Sequence, residues 1–353
     1  MYRNLLICIL SFFFFSYCSQ EKSDIRVECE ATPYGYYIIK WETFPPLEGT
    51  VKIYESSVPD SFNLSSPIAE TDISKGFTDI FFARTTKRSY FKLVFNKKYS
   101  AITAERTIPM DSLYNFRDFG GNYNTDGKQT CWGKLYRSSS LVNATSQDNK
   151  LLKNLDIRTV IDFRTSQERY ITPSKYVAPQ MFSFPLRGNP PTVFFDRILR
   201  KEMRAGDVKV YAQGLFSFIL ENNSDYFKKM FDILLDESNY PVLICCTYGR
   251  DRSAVASALI LAALGVEMDQ IVNDYMLTNE QNNFNSFFSD DNILLEDPEV
   301  QETFTALFLV HKGTMTYSFE KIIKDYGSLD NFFNTTLDLT PKKRERLKEI
   351  MLY

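Results

Sequence analysis

A strand–loop–helix unit between residues 241 and 265 constrains the fold more than any other part of this sequence. Residues 241–245 are a short apolar run, and residues 254–264 are rich in alanine and leucine and are followed by Gly265. The first run predicts a buried strand, and the second predicts a helix that ends at a glycine. A buried strand that leads directly into a helix is typical of an open α/β sheet, where ligands bind at the carboxyl ends of the strands.

The loop inside this unit carries one thiol and two guanidinium groups. Its sequence is Cys246-Thr-Tyr-Gly-Arg-Asp-Arg252-Ser253, so five residues separate Cys246 from Arg252. Backbone amides and the helix dipole favour an anion at the start of a helix, and the same field favours the thiolate form of a cysteine. Arg252 can bind two phosphate oxygens at once. We therefore predict a phosphate-binding loop made of Thr247, Tyr248, Gly249, Arg250, Asp251 and Arg252, with Cys246 as the nucleophile.

This loop resembles the signature of the cysteine-dependent tyrosine phosphatase superfamily, which reads His-Cys, five residues, Arg, then Ser or Thr. Residues 249–253 are most similar to a bacterial branch that acts on phosphotyrosine and on phosphoinositides. Two further segments resemble motifs of that branch, residues 115–121 and residues 160–164 with Glu168. The resemblance covers residues 108–353 and implies an α/β phosphatase domain, with a central sheet flanked by helices and the phosphate loop between a strand and a helix.

The sequence departs from the family pattern at two positions in the loop. Cys245 stands where the family has a histidine that shapes the loop and favours the thiolate. Arg250 stands where the branch usually has lysine, which keeps the charge and changes the geometry. Because Cys245 and Cys246 are neighbours, we also considered a disulfide between them as a reversible off-state.

The resemblance implies roles for individual residues. Cys246 attacks phosphorus and forms a cysteinyl-phosphate intermediate, which water then hydrolyses. Arg252 and the loop amides hold the phosphate oxygens, and Ser253 donates a hydrogen bond to the sulfur. Asp251 is the first candidate for the general acid and Asp162 is the second, although an aspartate at the end of a strand often only pairs locally. This chemistry requires no metal and no cofactor.

Three functions are compatible with the sequence. The first is a protein-tyrosine phosphatase, and the second is a phosphatase for phosphoinositides or inositol phosphates, which the extra cation Arg250 would suit. The third is a non-catalytic phosphate-binding module. A single histidine, His311, argues against a histidine-rich metal site, and a net charge of −3 without a long basic run argues against a nucleic-acid partner.

The amino terminus predicts export. Arg3 precedes a mostly apolar run at residues 5–15, which is too short for a membrane span, and Cys18 follows soon after. This arrangement resembles a bacterial lipoprotein signal, with residues 1–17 as the signal peptide, Cys18 as the lipidated residue and residues 18–24 as a tether. The expected location is outside the cytoplasm, on a bacterial membrane through a lipid anchor, and the alternative is a secreted protein.

Residues 25–107 predict a separate small β-sandwich. Short β-rich runs at 37–41, 50–54 and 90–95 are punctuated by proline and asparagine. The pattern resembles fibronectin type III modules, and the simplest role for such a domain is a spacer. In residues 108–353 the periodicity predicts three strands, at 158–163, 180–185 and 241–245, and seven helices, at 208–221, 224–236, 253–264, 269–277, 299–312, 319–326 and 341–352.

Overall fold

A computed structural model of the chain describes residues 23–81, 87–188, 191–281 and 297–353. The predicted signal peptide and Cys18 lie outside these residues. Within them, no helix combines the length and the apolar character that crossing a bilayer requires.

The amino-terminal region consists of two antiparallel sheets that share one core. One sheet has the order β1 (Asp24–Ala31), β2 (Tyr37–Phe44), β5 (Phe77–Ile80), and the other has the order β4 (Ala69–Asp72), β3 (Thr50–Ser56), β6 (Tyr90–Phe95), β7 (Tyr99–Ala104). Alternate residues of each sheet face the other sheet, and Ile39, Trp41, Ile53 and Phe91 are buried between them. The all-β architecture predicted for this region is confirmed.

The remainder of the chain is an α/β domain around a five-stranded sheet. Its order is β11 (Gln180–Ser183), β10 (Thr159–Asp162), β12 (Val242–Cys245), β9 (Leu135–Ser138), β8 (Arg117–Asp118), and only β8 is antiparallel to its neighbour. The helices are α1 (Ser146–Asn154), α2 (Ser166–Ile171), α3 (Phe195–Leu199), α4 (Ala205–Asn222), α5 (Ser224–Leu234), α6 (Arg252–Ala263), α7 (Met268–Gln281), α8 (Pro298–Phe308), α9 (Lys312–Tyr326), α10 (Leu329–Thr335) and α11 (Pro341–Met351). The predicted α/β fold class is confirmed.

Strand β12 is buried on both faces, as its continuous apolar run predicts. Val242 and Ile244 face the larger hydrophobic cluster, which includes most of α6, and Leu243 and Cys245 face a second cluster on the other side of the sheet. The strand therefore ends in the middle of the domain, and the residue that follows it, Cys246, lies at the carboxyl edge of the sheet.

Two predicted helices are wrong in extent. The helix expected at 299–312 ends at Phe308, and the helix expected at 319–326 begins earlier, at Lys312. The amide of Asn279 explains the break, because it both donates to the Val310 carbonyl at 3.0 Å and accepts from the Val310 N–H at 2.8 Å. These bonds replace helical ones and hold the backbone extended. His311, expected within the helix, instead lies at the amino-terminal cap of α9.

An ion pair joins the amino-terminal sandwich to the α/β domain. Arg88 donates to the carboxylate of Asp118 on β8, and it also donates to the Glu105 carbonyl at 2.7 Å. The Asp118 side chain is fully buried, and it accepts from the backbone of Gly120 and of Gly133, each at 2.8 Å. Asp118 is therefore paired with Arg88 and not with its neighbour Arg117, which binds Asp274. Successive side chains of β8 point to opposite faces.

We predict that Arg88→Met destabilises the whole chain. The substitution leaves the Asp118 carboxylate buried without its counter-ion, which should cost about 3–5 kcal/mol of unfolding free energy in urea denaturation. Lys40→Met is the control, because it breaks an exposed pair with Glu30 at 2.8 Å and should cost less than about 1 kcal/mol. Equal losses in the two variants would contradict this account of the contact.

Candidate active site

The loop after β12 contains a tight turn, and Gly249 makes it possible. Gly249 has a φ angle of 63°, a left-handed conformation that glycine adopts without strain. A Cβ atom at this position would lie 2.6 Å from the carbonyl carbon of Ser138 and from the amide nitrogen of Ser139. The loop therefore packs directly against the backbone at the end of β9, and only glycine permits this approach.

Cys246 lies at the start of α6, beneath the surface. Its side chain is buried, and its Sγ atom is 3.4 Å from the Oγ atom of Ser253 in the first turn of the helix. Ser253 is therefore in the place from which the sequence analysis expected it to donate to the sulfur. The helix dipole and the unpaired amides of the first turn face the same region.

Arg252 is fixed in place by Glu168 of α2. Its guanidinium donates to both carboxylate oxygens of Glu168, at 2.7 and 2.8 Å, and to the Thr247 hydroxyl at 2.8 Å. Thr247 in turn donates to Glu168. Burial disfavours ionisation of Glu168, but the hydrogen bonds and charge of Arg252 outweigh burial and lower the pKa of this carboxyl to about 2.

Glu168 was placed in a motif by sequence analysis but was given no role. Its position did carry a signal, because Thr165 and Glu168 form a capping box at the start of α2. That pattern fixes where the helix begins. It does not reveal that the carboxylate reaches Arg252, which is 84 residues further along the chain.

Asp251 and Arg250 form a pair at the edge of the loop. The Arg250 guanidinium donates to both Asp251 oxygens, at 2.9 Å each, and also to the Leu307 carbonyl at the end of α8. The Asp251 side chain keeps 14% of its surface exposed, whereas the Arg250 side chain keeps 6%. Arg250 therefore connects the loop to α8, and Asp251 is the more accessible of the two.

Asp162 lies on the opposite face of the sheet from Cys246. It pairs in register with Cys245, and its carboxylate accepts three hydrogen bonds from the Arg164 side chain, at 2.7, 3.0 and 3.1 Å. The geometry favours the local-pairing interpretation. The catalytic role of Asp162 stays a prediction, and Asp251 is the better candidate for the general acid. The Cys245 and Cys246 thiols are both free and belong to different hydrophobic clusters, so the disulfide between them is absent from this conformation.

A buried polar network lies behind the phosphate loop. Arg117 and Arg137 both bind the carboxylate of Asp274 on α7, at 3.1 and 3.2 Å. Arg137 also donates to the Gly249 carbonyl at 2.6 Å, and Asn115 donates to the same oxygen at 2.5 Å. Sequence analysis placed Asn115 and Arg117 in an opening motif but did not foresee that they reach the loop.

A family model described as the tyrosine phosphatase family matches residues 108–353 of this chain. The chain belongs to the tyrosine phosphatase family. The match contains the whole five-stranded sheet and the loop with Cys246, so the family and the enzyme class predicted from the sequence are confirmed.

Individual relatives carry related names. A Cupriavidus necator protein named as a tyrosine-protein phosphatase is 28% identical over 247 residues, which are 68% of this chain and 87% of the relative. The triple specificity protein phosphatase PtpB of Mycobacterium tuberculosis is 25% identical over 199 residues, which are 50% of this chain and 70% of the relative.

Among solved structures, the core catalytic domain of the PP-IP phosphatase SIW14 from S. cerevisiae matches 55% of this chain and 91% of its own length. The sequence identity is 16% and the TM-score is 0.28. A likeness at this level supports no statement about substrate.

The pH dependence of stability provides a test of the Glu168–Arg252 pair. Since the pKa of Glu168 is lowered from 4.5 to about 2 in the fold, its ionised form stabilises the protein fully above about pH 4.5. This contribution is lost as the pH falls towards 2. Between pH 5 and pH 2, the wild type should lose about 2 kcal/mol more unfolding free energy than Glu168→Gln, with allowance for partial solvent contact.

Glu345→Gln is the matched control for this measurement. Glu345 pairs with Lys348 at 2.9 Å on an exposed helix surface, where solvent screens the interaction. Its effect on the pH slope should be small. If Glu168→Gln leaves the slope of the wild type unchanged, then Glu168 is not held as the structure indicates.

Proposed function

We propose that this protein is a phosphomonoester hydrolase that removes phosphate from phosphotyrosine through a cysteinyl-phosphate intermediate. The observation that carries the proposal is the arrangement at the start of α6. There the Cys246 Sγ lies 3.4 Å from the Ser253 Oγ, and Glu168 holds both ends of the Arg252 guanidinium. A nucleophile, its hydrogen-bond partner and a fixed phosphate-binding cation are thus within one loop and one helical turn.

The reaction follows from these positions. The Cys246 thiolate attacks phosphorus, so that a sulfur–phosphorus bond forms while the bond to the ester oxygen breaks. Arg252 and the loop amides stabilise the charge on the equatorial oxygens. Asp251 gives its proton to the departing oxygen and then takes a proton from the water that hydrolyses the intermediate. Ser253 donates to the sulfur as it leaves.

The alternative substrates, phosphoinositides or inositol phosphates, depend on a cation that is available for a second phosphate. Arg250 is the residue that suggested them, but its Nε and Nη2 atoms donate to Asp251 and its Nη1 atom donates to the Leu307 carbonyl. The bonds of Arg252 to Glu168, Thr247 and Phe163 come from its two terminal nitrogens. The engagement of Arg250 supports a monophosphate substrate as the first choice. A multiply phosphorylated substrate would have to compete with Asp251 for Arg250.

The first test is hydrolysis of an aryl phosphate by the reduced protein in the presence of a chelator. Turnover that disappears in Cys246→Ser would support the thiolate mechanism. The same pair of proteins is then compared on phosphotyrosine peptides and on phosphoinositide vesicles, and a higher kcat/KM on the peptides is expected. Phosphate binding without turnover by the reduced wild type would instead favour the non-catalytic module.

Asp251→Asn should reveal the general acid. The variant should lower kcat for phenyl phosphate by about 10²–10⁴-fold, and less for p-nitrophenyl phosphate, whose leaving group needs no proton. Asp162→Asn is the control and should change kcat only a few-fold, because Asp162 lies on the other face of the sheet. The opposite ranking of the two variants would make Asp162 the acid.

We also propose that the enzyme is exported and anchored by lipid on Cys18, with an amino-terminal domain similar to fibronectin type III modules. The supports are the apolar run at residues 5–15 before Cys18 and the packing of a three-stranded sheet on a four-stranded sheet. Cys18→Ala should move the protein from the membrane fraction into the soluble extract. A wild-type protein already in the soluble extract would favour simple secretion.

A further inference from the structure

Cys246 lacks the histidine that precedes the nucleophile in the family pattern, because Cys245 occupies that position and faces the other side of the sheet. A buried thiolate needs positive charge and hydrogen-bond donors nearby. The structure contains a substitute on the face of the sheet where Cys246 lies.

We propose that Arg137 is a positioning residue that holds the phosphate loop by the Gly249 carbonyl and supplies, from behind the loop, positive charge that favours the Cys246 thiolate. This inference rests on the proposed function, since it concerns the nucleophile of that reaction. It assigns to Arg137 two tasks that the sequence pattern gives to histidine.

The first step of the argument is the geometry of the Gly249–Arg250 peptide. Its carbonyl oxygen accepts from the Arg137 guanidinium at 2.6 Å and from the Asn115 amide at 2.5 Å. This peptide is not among the cis bonds of the described chain, so its N–H points opposite to its carbonyl. By holding the oxygen on the outer side of the loop, Arg137 and Asn115 turn the Arg250 N–H towards the anion side.

The second step is the face of the sheet. Arg137 pairs in register with Ile244 on β12, and Leu135, two residues earlier on β9, belongs to the same hydrophobic cluster as Ile244 and Cys246. Alternation along β9 places Arg137 on that face as well. Burial, reinforced by the charge of Arg117, lowers the pKa of Arg137 to about 9, and the charges of Asp274 and of the Cys246 thiolate act in the opposite direction.

The third step is the charge around the loop. The guanidinium of Arg250 is engaged by Asp251, and that of Arg252 is engaged by Glu168, so each of these two arginines has a carboxylate partner of its own. Behind the loop, by contrast, Arg117 and Arg137 lie directly opposite each other on β8 and β9 and share one carboxylate, that of Asp274. The side chains of these two arginines are at most 1% exposed, so solvent does little to screen the excess positive charge.

The other titratable groups that face this region do not cancel the excess. Arg106 adds a further cation near Asp274, and the acids that act on it besides Asp274 are Glu28 and Asp118, of which Asp118 is paired with Arg88. Burial raises the pKa values of Tyr211, Tyr248 and Tyr275, so these phenols stay neutral near pH 7. Among the described residues around the loop, the surplus positive charge therefore lies in the cluster that includes Arg137, and the charge of the Cys246 thiolate acts on that residue.

The test measures alkylation of Cys246 by iodoacetamide between pH 5 and pH 9 on the purified full-length protein, with the modified peptide quantified by mass spectrometry. In Arg137→Met, the midpoint of the alkylation profile should rise by about one pH unit or more. The kcat for an aryl phosphate should also fall at least about tenfold. Arg137→Lys should keep a midpoint near that of the wild type, because lysine retains the positive charge. It lacks the guanidinium that binds Asp274 and the Gly249 carbonyl at the same time.

Two further variants separate this role from a general loss of stability. Leu347→Ala opens a cavity under α11 and changes no charge, so it should lower stability without moving the alkylation midpoint. Asp274→Asn removes the shared carboxylate, so it should shift the midpoint downwards, and it decides the matter if Arg137→Met does not fold. An unchanged midpoint in both Arg137→Met and Asp274→Asn would overturn the inference.

The alkylation profile also distinguishes failure of this inference from failure of the proposed function. If the wild type hydrolyses no phosphate ester and the midpoint still depends on Arg137, then the proposed function is wrong while the thiolate assignment stands. If hydrolysis by the wild type is normal and the alkylation midpoint is the same in Arg137→Met, then only the inference is wrong.

Discussion

The parallel pairing of β12 between β9 and β10 is the constraint on which the rest of the site depends. It fixes where the strand ends and therefore where Cys246 begins the loop. Each neighbouring strand then contributes support at the same edge of the sheet. On one side, the end of β9 meets Gly249 in close contact. On the other side, β10 leads into α2, which carries Glu168 to Arg252.

The charged groups of the site are buried, so each of them requires a partner of opposite charge. Arg117, Arg137 and Arg252 lie in an environment where an unpaired charge would be costly, and each is held by a carboxylate from a distant part of the chain. Such pairs contribute little net stability compared with apolar packing of the same volume. Their value is that they allow only one arrangement of the loop, so the oxygens of a bound phosphate meet donors that are already in position.

The sequence was sufficient for the features that depend on neighbouring residues. An apolar run, a loop with Cys246 and a helix that ends at Gly265 predicted the central unit of the fold, because strand, turn and helix signals are local. The contacts that complete the site join residues far apart, such as Asn115 to Gly249 and Glu168 to Arg252. The local sequence around one residue of such a pair does not identify its distant partner, so only the folded chain reveals the contact.

Two further features that the sequence did not determine have the same origin. The choice between a catalytic and a locally paired Asp162 depends on the face on which it lies, and its register with Cys245 is not apparent from the strand alone. The helix expected to continue to residue 312 is interrupted by the amide of Asn279, which is distant in sequence and imitates a strand partner for Val310. In the helix a tertiary contact overrides a local pattern.

The short strand β8 brings the contact with the amino-terminal sandwich next to the polar network behind the phosphate loop. Arg117 points to one face of β8 and reaches Asp274, which also binds Arg137 behind the phosphate loop. Asp118 points to the other face and binds Arg88 of the sandwich. Two consecutive residues of β8 thus serve both contacts, and the sandwich is held against the α/β domain by a buried ion pair.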